Sequence, residues 1–177
     1  VPAGPALAED EAVCRLAGIY FRSHGPATLQ DFAWWSGFSL ASARKGTELA
    51  GSGLWGETIR GTVYWSAGGG VPGSDPSAGP EVFLLPAYDE FLISYRDRSP
   101  SIDLVQQRHT FSSNGIFRPV IVVNGLAQGI WKRTIKKDAV IIEPTMFLPV
   151  TAALRDAVAS EAARYGRFLN LREEIIW

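Results

Sequence analysis

One cysteine, one methionine and two histidines stand among 177 residues. The lone Cys14 excludes an internal disulfide framework and fits a reducing cytoplasm. It lies in a helical pattern, where a small buried hydrophobe is a commoner role than a nucleophile. His24 and His109, with no Cys-x-x-Cys, leave too few ligands for a zinc site, so neither a metal nor another cofactor is expected. No stretch of about 18 apolar residues occurs, which excludes a membrane-spanning helix and a membrane partner. No glycine-rich loop leads into a Lys-bearing helix. Gly68-Gly69-Gly70 opens no helix and fails as a phosphate cradle. A strand-to-helix nucleophile elbow is also missing. The start, Val1-Pro2-Ala3-Gly4-Pro5, has neither an initiator Met nor a signal-peptide pattern and reads as the cut end of a longer chain.

Excess charge is absent too. The net value is −1, so the molecule as a whole is not a basic nucleic-acid binder. The more telling absence is local. Between Asp103 and Asp138 there is no acidic residue, while the same window holds Arg108, Arg118, Lys132, Arg133, Lys136 and Lys137. Residues 1–65, by contrast, nearly balance their acids and bases. Positive potential is therefore concentrated in the second half.

What is present orders itself around residues 24–39. Gly25-Pro26 breaks the preceding element, and Thr28 caps a helix whose first turn carries Asp31. Leu29, Phe32, Ala33 and Ser36 share a face, and Gly37 supplies the left-handed end. Ser39 caps a second helix to about Ala50, with Arg44 and Lys45 on its polar side. Two capped helices about a tight turn read as a helix-turn-helix. Upstream, Ala8–Ser23 forms a helix with Glu9, Asp10 and Glu11 in its first turn. Downstream, residues 54–65 form a hairpin turning at Arg60-Gly61. Helices followed by such a hairpin predict a winged helix over residues 1–65.

Residues 66–80 are Ser, Ala, Gly, Pro and Asp with little to bury, and predict a flexible linker. Residues 81–177 form the second domain. Val82–Leu85 is a short buried-strand pattern, Phe117–Val123 a strand with Pro119 near its entry, and Asn124-Gly125 a hairpin turn. Return strands follow at Leu126–Thr134 and Ala139–Glu143. Thr151 then caps a final helix to about Leu169. The fold class is α+β: a winged helix-turn-helix, then a small antiparallel β-barrel or meander with a C-terminal helix.

Asp89-Glu90 offers two adjacent carboxylates for acid–base work, but capping a turn and pairing with Arg96 or Arg98 is the commoner use of such a pair. Trp34-Trp35 fits a helix core better than a stacking platform. The helix bearing Arg44 and Lys45 is otherwise small, with Ala41, Ser42, Ala43, Gly46 and Thr47. It suits close approach to a backbone more than base reading. The basic window is the preferred phosphate-binding surface.

Several of these stretches together resemble a known family. They are residues 25–37, Leu84-Leu85-Pro86-Ala87-Tyr88-Asp89-Glu90-Phe91-Leu92, Tyr95-Arg96-Asp97-Arg98-Ser99, Asn114-Gly115-Ile116-Phe117-Arg118-Pro119 and Gly129-Ile130-Trp131-Lys132-Arg133. They are similar to a bacterial winged-helix DNA-binding family that includes DNA glycosylases of alkylated bases and interstrand crosslinks. The resemblance implies tandem winged helices and a β-barrel cradling double-stranded DNA, with this chain as the C-terminal part. The family's two catalytic glutamines, one residue apart, belong to an N-terminal winged helix. Gln106-Gln107 are adjacent and lie elsewhere, so no catalytic residue carries over. The expected DNA contacts are Arg118, Lys132, Arg133, Lys136 and Lys137, with Arg44, Lys45 and Arg60 secondary. The alternatives are a winged-helix transcription regulator and a protein-interaction module that binds no DNA.

Overall fold

The computed structural model describes residues 7–68 and 79–177. The expected cut end and most of the expected linker lie outside them. The chain is α+β and divides into two compact units. One holds Val1–Ser74 with Ile93–Asp97, the other Asp75–Leu92 with Arg98–Trp177.

The first unit is built from α1 (Glu9–His24), α2 (Leu29–Ser36), α3 (Leu40–Ala50) and a hairpin of β1 (Trp55–Ile59) and β2 (Thr62–Ser66). Three carboxylates open α1, where the helix dipole favours them. The first turn of α2 is closed by a capping box. The Thr28 hydroxyl accepts from Asp31 N–H at 3.1 Å, and the Asp31 carboxylate accepts from Thr28 N–H at 3.0 Å. Gly37, at φ 73°, returns its N–H to Ala33. The Ser39 hydroxyl then caps α3 by accepting from Ser42 N–H at 3.1 Å.

The small residues of α3 face inward. Ala43, Gly46 and Thr47 are buried, and a Cβ on Gly46 would collide with Val13 of α1. Their smallness thus serves contact with α1 rather than approach to an external backbone. The hairpin turns at Arg60 (φ 50°) and Gly61 (φ 81°), both left-handed as a two-residue turn requires. It is tied to the helices by two backbone bonds between Trp65 and Ala27, at 3.0 and 2.7 Å. An aromatic core of Tyr20, Phe21 and Phe32 lies between these elements.

Ile93–Asp97 belongs to this unit although it follows the expected boundary. The physical reason is Asp31. Its carboxylate is buried and accepts from Thr28 N–H, Thr28 Oγ1–H (2.6 Å), Arg96 N–H (2.9 Å) and Asp97 N–H (3.2 Å). A buried charge needs such donors. Tyr20 adds a hydroxyl bond to Ser94 O at 3.1 Å.

The second unit is a five-stranded sheet in the order β3 (Val82–Leu85), β4 (Val120–Val123), β5 (Leu126–Ile135), β6 (Ala139–Met146), β7 (Arg172–Ile175). The short helix α4 (Glu90–Ile93) starts in it, and α5 (Gln107–Thr110) and α6 (Ala152–Leu169) complete it. Asn124 and Gly125, at φ 49° and 79°, make the predicted turn between β4 and β5. Thr151 caps α6. One face of the sheet, with Ile121, Trp131, Val140 and Ile142, packs on Val158 and Ala162 of α6. The other, with Val120, Val122 and Ala127, packs on Leu92 and Ile102.

Four expectations need correction. The sheet is open, with β3 and β7 as edges, and is not a closed barrel. Nor is it wholly antiparallel. The chain crosses over through α6, so β7 runs parallel to β6. The strand expected from Phe117 begins at Val120, and Phe117 instead bridges Phe111. Finally, β6 runs past Glu143 and through Pro144. Ile142 gives its carbonyl to Ile176 N–H at 3.0 Å, so residues of its parity face β7. Pro144 lies beyond the paired stretch of β7, where its missing N–H leaves no ladder bond unmade.

Candidate nucleic-acid interface

The expected contacts fall in both units and are described within each. In the first, Arg44 and Lys45 are exposed on α3, but they differ in surroundings. Lys45 Nζ lies 2.5 Å from Asp10 Oδ1 in the acidic first turn of α1. The hydrogen bond to Asp10, then its charge, raises the Lys45 pKa above its ordinary 10.5, with Glu9 adding a little. A phosphate at Lys45 would meet these carboxylates. No carboxylate lies within 4 Å of Arg44 or Arg60 among the described residues. Arg60 occupies the tip of the exposed hairpin, in a left-handed conformation that costs a non-glycine residue about 1 kcal/mol.

In the second unit the strand period sorts the cations. Side chains alternate across a strand. Trp131 faces α6, and so does Arg133, which donates to the Tyr165 hydroxyl and holds its guanidinium 5.6 Å from the Tyr165 ring centre. Lys132 points to the opposite face, with Ile130. The two adjacent cations therefore cannot lie on one surface.

Arg118 lies two residues before β4. Val120 pairs with Ile130, and Trp131 N–H donates to Pro119 O at 3.2 Å, where the pairing with β5 ends. Arg118 is exposed, and its N–H donates to Thr110 O at 2.8 Å, which ties its backbone to the end of α5. Opposite Lys132 stands Glu143, its direct partner across the β5–β6 ladder. Lys136 and Lys137 are exposed in the turn into β6. Among the described residues no carboxylate lies within 4 Å of Arg118, Lys136 or Lys137.

The remaining candidates resolve into structural roles. Asp89 Oδ1 accepts from Phe91 N–H at 2.9 Å and caps α4. Trp35 packs against Tyr20 in the core, whereas Trp34 is 56% exposed. Among the described residues no three His, Cys, Asp or Glu side chains cluster as metal ligands would, and no helix is long and apolar enough to cross a membrane. Arg108, which the sequence placed in the acid-free window but not among the expected contacts, is exposed in α5, its Nε–H donating to His109 Nε2 at 3.2 Å.

Residues 1–168 match the family described as DNA glycosylase AlkZ-like. Among solved structures, the DNA glycosylase AlkZ of Streptomyces sahachiroi is similar in fold, with a TM-score of 0.74 at 21% sequence identity. The similarity covers 98% of this chain and 48% of that one, so the chain spans about half of that relative's length. No curated protein matches the chain.

Proposed function

The chain belongs to the AlkZ-like DNA glycosylase family, and from that premise we propose that it is the duplex-holding part of a cytoplasmic DNA-repair glycosylase. The first unit, with three helices and a hairpin, is read as a winged helix. The glutamine pair expected to direct water at the N-glycosidic bond has no counterpart in this sequence. Base excision would then belong to the longer protein, while this part grips phosphates.

The observation that supports the reading is the acid-free window of residues 104–137, which carries Arg108, Arg118 and Lys132 and in which Arg118 has no carboxylate within 4 Å among the described residues. Like charges held together in water cost free energy unless an anion joins them, and a phosphate backbone supplies that anion. Lys136, Lys137, Arg44 and Arg60 extend the contact. Lys45 and Arg133 contribute less, because Asp10 and Tyr165 already engage them. Reading of bases by α3, as a transcription regulator requires, is disfavoured by its buried small face and by Asp10 beside Lys45.

The test is duplex affinity measured against salt. Arg118→Ala and Lys132→Ala should each lower the log–log slope by about one, the release of one phosphate's counterions. Lys45→Ala should leave the slope nearly unchanged. An affinity independent of salt would overturn the proposal.

A further inference from the structure

Two apolar side chains of the second unit stand in water where the backbone has been built to hold them. Leu104 is 71% exposed and Val105 66%. They are the apex of a turn, not a frayed loop. The Asp103 carboxylate accepts from Val105 N–H at 2.8 Å, and Asp103 O accepts from Gln106 and Gln107 N–H at 2.9 and 3.1 Å. Both feet of the turn are anchored. Ile102 is fully buried, and its N–H donates to Arg98 O at 2.9 Å. Thr110 is fully buried and accepts from Arg118 N–H. Just before the first foot, Ser101 O accepts from Ala127 N–H of β5 at 2.8 Å.

We propose that Leu104 and Val105 form a rigid apolar prong that enters a duplex between stacked base pairs. This rests on the duplex-binding reading above. The flanks favour nucleic acid over a protein partner. Arg108 and His109 follow the prong after Gln106 and Gln107, Arg118 is bonded to its far foot, and residues 104–137 contain no acid. Asp103, the carboxylate next to it in sequence, is engaged in holding the turn. Cations on the phosphates with an aliphatic wedge between base steps is the arrangement by which proteins unstack and kink duplex DNA. Preorganisation matters, because a floppy loop would lose its ordering entropy on entry.

The experiment binds the whole chain to duplexes carrying 2-aminopurine, whose fluorescence rises when it is unstacked. The native chain should bind and raise the signal. Leu104→Ala with Val105→Ala should abolish the rise and weaken binding about tenfold, with the salt slope unchanged. Because both residues are exposed, an unaltered melting temperature will show that the variant is folded. Asp103→Ala, which frees the turn but keeps both apolar side chains, should reduce the rise. Salt-dependent binding without a rise, or a rise that survives the double substitution, overturns the prong alone and leaves a protein contact as the use of these residues. Failure of the native chain to bind duplex overturns the parent reading as well.

Discussion

The two units contain the same kinds of residue and treat charge in opposite ways. In the first, a carboxylate is taken inside and saturated with donors, and the lysine expected to face a ligand is held by an acid of its own unit. In the second, Arg118, Lys132, Lys136 and Lys137 are kept outside, with Glu143 opposite Lys132 across the ladder. Position in the chain does not make a cation available. What makes it available is which neighbour the fold delivers.

Five substitutions would break or sharpen that contrast. The largest effect is expected from Trp131→Ala. Its ring is buried against α6, and its Nε1–H donates to Leu85 O at 2.8 Å. A loss of about 4 kcal/mol, read by denaturant unfolding, would show that the second unit stands on apolar packing. Next is Asp31→Ala, expected to cost about 3 kcal/mol by orphaning buried N–H groups. Hydrogen exchange should then quicken at Arg96 and Asp97; unchanged protection there would contradict the role given to this carboxylate. Gly46→Ala should cost about 2 kcal/mol through overpacking against Val13.

Arg60→Asn works in the other direction. Asparagine tolerates the left-handed turn better, so stability should rise by about 0.5 kcal/mol while duplex affinity falls. A gain in both would remove Arg60 from the interface. The smallest effect concerns Lys45. Its pKa is raised in the folded state, so its contribution to stability is complete below the unfolded value near 10.5 and disappears as pH climbs through the folded value. Native chain and Lys45→Gln should differ slightly at pH 7 and converge in strong alkali. A difference that persisted there would show that Asp10 is not the partner that matters.

How legible each unit was in the sequence follows from the range of its forces. Thr28, Asp31, Gly37 and Ser39 act on backbone within a few residues, so the first helices could be placed from spacing alone. Asn124-Gly125 likewise specifies its own turn. The capture of Arg96 and Asp97 by Asp31 spans more than sixty residues and leaves no periodic trace. The strand β7, Arg-Glu-Glu-Ile, reads as polar because it is an edge reached through a crossover. At the interface, the acid-free window was visible, but not that pairing would seat Glu143 beside Lys132 or turn Arg133 toward Tyr165.

The clamp on Asp31 also bears on the order in which the protein is made. A chain emerging from the ribosome exposes α2 long before Arg96 and Asp97 are synthesised. Until they arrive, that carboxylate lacks two of its donors and keeps its water. The donor set on that carboxylate is therefore complete only once the segment beyond α4 has been translated.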